Sequence, residues 1–519
     1  MTTPNSAREK NREPKFYFDD GAGDALITGL LIVGAVLVPA IVVAIWATGL
    51  GMFSMLETVF RYYGVYVLAA LTITVGAVLA FAAVEAKPFV ASAIILVAGI
   101  ALGGYALAVH PYIVKSVYAS EMQEVDETTD YNERAPWVVA NAFSQRGQGD
   151  IRGDIRPVRY VPTASVEEGD KSRYSAAVVE RRIFRAGYEA VQVMDMPYSG
   201  SAPSGAVQHC ETPDSMNKRL DSPWPWASLN WTLHRKTPFL AHFNSADAYA
   251  YCDDDNKPVV VVPLVKYSGI WRVTMEPAGV FVYDENGGRY LTADEANEEG
   301  IDGATYPMEV ARKQREAMKA GGSLTQYYSS VYGYDTTEKD VEDANGTNAS
   351  EFILTKEDGS VSFVTPLVPR GTSQSIVAIS DVPGRQEGSG RLPITVNTSP
   401  NLQSSTSTIE TKIRESSVKG DVEWTTRWAS GMTVYEILPS HDGWWSASVG
   451  QGQAVSYRAD ISPEGDVTVR RTDSDSADSS PDTPSESVTV SGDKPLSEMT
   501  EADLYNLIDQ AVEELKSRE

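Results

Sequence analysis

Only two cysteines, Cys210 and Cys252, occur among the 519 residues, too few for a four-cysteine zinc site or a disulfide-rich miniprotein. Basic residues are scarce as well, since 44 Lys and Arg stand against 70 Asp and Glu and give a formal net charge of −26. Nucleic acids and anionic bilayer surfaces are negatively charged, so this balance argues against a nucleic-acid-binding protein. The 42% of hydrophobic residues is enough to build buried cores.

The motifs of the common catalytic classes are missing. The sequence has no G-x-S-x-G elbow, P-loop, dinucleotide fingerprint or H-E-x-x-H zinc helix, and the nearest segment, GTSQS at 371–375, lacks the second glycine. The sequence therefore favours a non-enzymatic protein. An envelope hydrolase with an unfamiliar site is the alternative, and Ser373, His441 and Asp442 would be its best candidate residues.

Three apolar runs each reach the roughly 20 residues that a helix needs to cross a bilayer: residues 25–50, 62–84 and 88–110. Their apolar cores contain no Asp, Glu, Lys, Arg or His, whereas transport and proton-relay pathways need such groups at membrane depth. We therefore expect a three-helix transmembrane anchor over residues 25–112. Gly99 and Gly103 form a small-xxx-small motif, which favours packing against the protein's own helices over seating a helix of another membrane protein.

The distribution of basic residues predicts the orientation of this anchor. Several precede the first apolar run, in the N-terminal tail at 1–24: Arg8, Lys10, Arg12 and Lys15. Basic residues remain preferentially on the cytoplasmic side, so we expect the N-terminus in the cytoplasm. After three crossings, everything beyond about Pro111 is then expected outside. The sequence thus predicts a multi-pass cell-membrane protein with a large extracytoplasmic C-terminal region.

This outer region is expected to be β-rich and divided into two domains. An acidic connector at 113–134 leads into an α+β domain at 135–335, and a smaller all-β domain follows at 351–470. Short runs rich in Val, Tyr and Ile, bounded by turn residues, predict the strands. Thr292 and Glu295 are spaced as a capping box, which predicts a helix start. The fold class is therefore a membrane-anchored α+β protein.

The C-terminal part is predicted to be a tether and a helix. Residues 471–496 are acidic and rich in Ser and Pro, a composition typical of disordered linkers. Residues 497–519 predict an amphipathic helix, whose apolar stripe is Leu504, Leu507, Ile508, Ala511, Val512 and Leu515. Something must bury this stripe. Docking on the protein's own outer region and docking on a partner or a second copy are both left open.

The two cysteines lie in the region expected outside, where oxidising conditions preserve disulfides, so we expect Cys210 and Cys252 to pair. The DDDN run after Cys252 does not fit a helix–loop–helix calcium motif, and it predicts a solvated turn before a buried strand. A calcium site that uses Asp253 and Asp255 is the alternative, and no other cofactor is expected. Between the cysteines lie Trp224, Trp226 and Trp231, for which core packing is favoured over an exposed ligand platform.

These observations lead to one functional hypothesis and two alternatives. We expect a non-enzymatic, multi-pass membrane protein whose outer region binds or scaffolds other components of the cell envelope or of a secretion, conjugation or virus-related assembly. The expected partners are the membrane, other envelope proteins or a second copy of the chain, and no nucleic acid. The alternatives are the envelope hydrolase and a solute or signal sensor.

Overall fold

A computed structural model describes Val43 and residues 56–472, except for short gaps. The gaps are residues 83–85, 148, 150, 164–170, 180–186, 199, 202–206, 221, 223, 225, 337–351, 400, 419–420 and 422. Within these limits the protein is a mixed α+β fold with four β-sheets and two apolar helices that could span a membrane. Most of the predicted first span, the predicted linker from residue 473 onward and the predicted C-terminal helix lie outside the described residues.

Two apolar helices follow a π-helical turn at Thr58–Tyr62. Helix α1 is Gly64–Ala82 and helix α2 is Ala86–Ala108, and they agree with the second and third predicted runs. Helix α3, His110–Ala119, follows almost directly, so that the apolar segment Phe89–Ala119 is long enough to cross a membrane and continue beyond it. The described part of the chain thus contains two helices that could span a membrane, at the places of the second and third predicted spans.

Helices α1 and α2 pack closely at glycines. A Cβ atom on Gly99 would lie 2.8 Å from the backbone nitrogen of Ile73, and one on Gly76 would lie 2.7 Å from that of Leu96. Gly103 is less confined, because its nearest neighbour is Ile73 Cδ1 at 3.8 Å. Of the two glycines in the predicted motif, Gly99 therefore allows the close approach of these two helices.

We expect Gly99→Ala to destabilise the helical hairpin by about 1–3 kcal/mol, because the added methyl group must displace the backbone of the facing helix. Gly104→Ala is the matched control, since no atom lies within 4 Å of its Cβ position and alanine favours the helix. Unfolding of the full chain in detergent micelles measures the difference. Equal stability of the two variants would contradict the close packing at Gly99.

The other elements form the folded region that follows the apolar helices, which we call the outer region after its predicted location. The further helices are α4 (Trp137–Gly147), α5 (Leu229–Lys236), α6 (Ala293–Glu298), α7 (Met308–Ala317), α8 (Leu324–Ser329), α9 (Thr406–Glu415) and α10 (Trp424–Ala429), with a 3-10 turn at Met318–Ala320. The strands are β1 (Met122–Val125), β2 (Asp154–Ile155), β3 (Arg159–Tyr160), β4 (Lys171–Val179), β5 (Tyr188–Pro197), β6 (Gly200–Ser201), β7 (Val207–Glu211), β8 (Tyr249–Cys252), β9 (Pro258–Ser268), β10 (Thr274–Asp284), β11 (Gly287–Leu291), β12 (Tyr334–Thr336), β13 (Phe352–Thr355), β14 (Val361–Pro369), β15 (Ala378–Pro383), β16 (Ile394–Asn397), β17 (Thr433–Pro439), β18 (Trp445–Gln451), β19 (Ala454–Ile461) and β20 (Val467–Arg471).

The strands form four sheets that are mostly antiparallel. One has the order β2-β4-β5-β7 with β3 beside β4, and another has the order β11-β10-β9-β8. A third has the order β17-β18-β19-β20 with β6 beside β19. The fourth has the order β1-β16-β15-β14-β12 with β13 beside β14, and its β1–β16 pair is parallel.

Several local predictions are confirmed. The Asn286-Gly287 sequence favours a hairpin turn, and strands β10 and β11 form a hairpin there with Asp284 opposite Gly287. Both hydrogen bonds of the Thr292–Glu295 capping box are present at α6. These features depend on residues close together in sequence, which is why their pattern predicts them.

The predicted division of the outer region differs from the observed pairing. Strand β1 belongs to the predicted acidic connector, yet it pairs with β16. Helices α9 and α10 lie inside the predicted all-β domain at 351–470, where strands alone are expected. In α9 the Ser405 side chain caps the helix, while Ile409 and Ile413 bury one face. Ser and Thr have weak helix propensity, so the local composition does not predict a helix here. Burial of the face that carries Ile409 and Ile413 stabilises it.

Candidate functional site

Cys210 and Cys252 form a disulfide, as predicted. Cys210 is in β7 and Cys252 is at the end of β8, so the bridge joins the sheet that contains β4 and β5 to the sheet that contains β9 and β10. Cys210 is fully buried. The bridge is therefore a structural link between two sheets, consistent with an oxidising compartment.

The aspartates after Cys252 form a turn that is stabilised by hydrogen bonds between the Asp253 side chain and the backbone of the turn. Asp253 Oδ1 accepts hydrogen bonds from the backbone N–H groups of Asp255, at 3.1 Å, and Lys257, at 2.7 Å. Lys257 Nζ also contacts Glu285 Oε1 at 2.6 Å. In the described part of the chain no group of three or more His, Cys, Asp or Glu side chains could hold a metal ion. The contacts agree with a solvated turn, and calcium binding at Asp253 and Asp255 stays a prediction.

The three residues of the hydrolase alternative are exposed, and each forms a contact with a residue outside this set of three. Ser373 Oγ accepts the backbone N–H of Ser375, and His441 Nδ1 is 3.0 Å from the hydroxyl of its neighbour Ser440. The backbone N–H of Asp442 donates to Asp130 Oδ1 at 2.7 Å. None of these contacts aligns an imidazole with a nucleophile and a carboxylate, so the geometry gives the alternative no support.

The tryptophans between the two cysteines are only partly buried. The rings of Trp224 and Trp226 stack with centroids 5.1 Å apart, and Trp226 is 64% exposed. Core packing, the favoured interpretation of the sequence, is therefore wrong for Trp226. Trp226 lies in a surface turn shortly before α5, where its ring covers Trp224 without entering a core.

Long-range contacts form a junction where α3 enters the outer region. Val114 and Tyr118 of α3 are buried together with Ala317 of α7. The backbone N–H of Met275 in β10 donates to the Tyr118 hydroxyl at 2.6 Å. The helix that continues the apolar span is therefore part of the folded outer region and does not act as a flexible stalk.

Arg391 is the polar centre of this junction. Its Nε contacts both carboxylate oxygens of Glu121 at 2.9 Å, and its Nη1 donates to Thr274 Oγ1 at 2.8 Å. The guanidinium also lies 5.0 Å from the ring centroid of Tyr118. Burial alone would lower the pKa of Arg391, but its bonds to the Glu121 carboxylate raise it overall. Arg391 thus remains charged and ties the end of α3 to β10.

We expect Arg391→Ala to lower the stability of the outer region by about 1.5–3 kcal/mol, because hydrogen bonds to charged groups are lost at a largely buried position. Arg391→Lys is expected to recover only part of the loss, since an ammonium group cannot form the same forked contacts. Arg235→Ala, at an exposed position of α5, is the control. The measurement is the denaturant midpoint of the full chain, and an Arg391→Ala midpoint equal to that of the control would contradict this assignment.

Two further segments of the outer region contact the ends of the apolar helices. His110 Nε2 is 3.2 Å from the carbonyl oxygen of Trp271, and Arg61 Nη2 donates to the carbonyl of Gly269 at 2.8 Å. In the second segment, the Tyr112 hydroxyl donates to the carbonyl of Gly322 at 2.8 Å. The junction therefore includes the β9–β10 loop and the segment that leads into α8.

The sequence does not predict this junction, because Glu121 and Arg391 are far apart along the chain. The one available signal is the number of Tyr, Trp and His residues just beyond the apolar runs. No protein-family model matches the chain, and neither does any curated protein or solved structure.

Proposed function

We propose that this chain is a non-enzymatic multi-pass membrane protein with a cytoplasmic N-terminus, whose large extracytoplasmic region binds or scaffolds other envelope components. The observation that carries the proposal is the continuous apolar segment Phe89–Ala119, whose last turns are buried in the outer fold. A protein that only needs a membrane tether does not need its span to enter the folded region.

The rigid attachment of the outer region to the apolar helices affects how it can bind partners. Tyr118 and the Arg391–Glu121 pair hold the outer region at one height and one orientation relative to the span. A surface that is already oriented loses less rotational freedom when a partner docks. The Cys210–Cys252 bridge further stiffens the outer region and supports an extracytoplasmic location. These features suit a docking platform that presents the same face to each partner.

Photo-crosslinking in the native membrane tests this function. A photoreactive amino acid replaces either Trp226 or Trp444, which are exposed on the outer region, and the same amino acid at Val97 in α2 is the control. We expect recurrent adducts with particular envelope proteins or a second copy from the outer positions, and a different set from Val97. The absence of recurrent adducts, together with a monomer in detergent, would overturn the scaffold function.

A further inference from the structure

We propose that the membrane-proximal face of the outer region inserts into the interfacial layer of the bilayer, so that lipid covers it. This face consists of the loop at 269–272 and the segment at 324–331, which begins with α8. The inference rests on the membrane anchoring in the proposed function and goes beyond it, because an anchored domain could equally stand clear of the bilayer.

Exposed apolar side chains are concentrated on this face. Eight large hydrophobic residues beyond residue 120 are exposed in the described part of the chain, and five of them belong to these two segments. The five are Ile270, Trp271, Leu324, Tyr328 and Val331. Ile270 is 82% and Val331 is 73% exposed. Single exposed apolar residues are ordinary, but a cluster of them marks a surface that something apolar covers.

Hydrogen bonds place the face level with the ends of the apolar helices. The Tyr328 hydroxyl donates to the carbonyl of Ala108, the last residue of α2. His110, which lies two residues after Ala108, binds the carbonyl of Trp271. Arg61, three residues before α1 begins, binds the same loop. Two segments far apart in sequence are therefore held at the depth where both spans leave the hydrocarbon.

The chemistry of the face suits the interfacial layer. Trp and Tyr are enriched where a bilayer meets water, because one end of the ring system is apolar and the other can form hydrogen bonds. Trp271, Tyr328 and Tyr63 are exposed there, and the exposed Arg272 can extend its guanidinium group to lipid phosphates. The net charge of −26 opposes attraction to an anionic surface, so apolar insertion is the driving interaction.

Lipid-quenching of a fluorescent label tests the proposal. An environment-sensitive dye is attached to Ile270→Cys or Val331→Cys in the full chain, without reductant so that the native disulfide is retained. The protein is reconstituted into phosphatidylcholine vesicles with nitroxide either near the headgroup or near the end of the acyl chain. We expect both labels to emit at shorter wavelength and to lose most of their intensity with the shallow nitroxide. Phe239→Cys, at an exposed site outside both segments, is expected to show neither effect.

A label at Val97→Cys, in the middle of α2, separates failure of this inference from failure of the anchor. If the deep nitroxide quenches Val97 while the labels at 270 and 331 behave like that at 239, the anchor stands and the inference is overturned. If Val97 is not quenched, the anchoring itself is overturned. If the labels at 270 and 331 are shielded from a water-soluble quencher but unaffected by nitroxide lipid, protein covers the face and the inference is wrong.

Discussion

Glu436→Gln is expected to lower the free energy of unfolding by about 3–5 kcal/mol, because it leaves a buried guanidinium without its charged partner. Glu436 is only 1% exposed, and its two carboxylate oxygens each lie 3.2 Å from Arg134 Nη2. The same carboxylate accepts the backbone N–H of Trp137 at 2.8 Å. The variant retains the size of the side chain, so the expected loss comes from charge and hydrogen bonding.

This pair joins parts of the chain that are distant in sequence. Arg134 precedes α4, Glu436 is in β17, and Arg134 Nη1 also donates to the carbonyl of Ile353 in β13 at 3.0 Å. Burial alone would lower the pKa of Arg134, but the Glu436 carboxylate and the nearby tyrosines raise it overall. Arg134 therefore stays charged, and loss of Glu436 is expected to loosen the contact among these elements.

Denaturant unfolding of the full chain, followed by tryptophan fluorescence, measures the loss. Glu298→Gln, at an exposed position in α6, is the matched control and is expected to stay within about 0.5 kcal/mol of the parent protein. The double variant Arg134→Met with Glu436→Leu is expected to recover much of the stability, since an apolar pair can replace a buried ion pair. A Glu436→Gln midpoint equal to that of Glu298→Gln would show that the pair is dispensable.

Removal of the disulfide is expected to have a similar effect. The bridge joins residues 42 apart in sequence, and the chain-entropy model for a loop of this length gives about 4 kcal/mol. Cys210→Ala combined with Cys252→Ala should therefore reduce the unfolding free energy by roughly that amount. The local consequence is separation of β7 from β8, and with it a weaker contact between two sheets.

Reductant provides the control for this second prediction. The melting temperature of the parent protein should fall when reductant is added, whereas that of the double-alanine variant should be low and insensitive to it. A parent protein that melts at the same temperature with and without reductant, after complete reduction has been verified by mass spectrometry, would contradict the stabilising role. Labelling of the thiols on intact cells only after reduction would also support the outward location of the bridge.

The junction is an example of long-range contacts that sequence patterns do not predict. Periodicity and composition act over a few neighbouring residues, so they predict the apolar helices, the capping box at Thr292 and the turn after Asp284. The contact between Glu121 and Arg391 depends instead on how β10, α3 and the loop before β16 pack together. The exposure of Trp226 is likewise set by packing, because an aromatic residue suits both a core and a surface.

Four features can be predicted without the fold: the apolar helices, the acidic charge, the mixed α+β character and the two cysteines available for one bridge. Each follows from the length of an apolar run, from composition or from the spacing of neighbouring residues, and none of them depends on distant contacts. Three other features are visible only in the folded protein: β1 joins the sheet of β16, α3 enters the outer region, and Arg134 pairs with Glu436. Each of these features depends on contacts between residues that are hundreds of positions apart. Burial and shape complementarity select such partners, and neither produces a periodic pattern in the sequence.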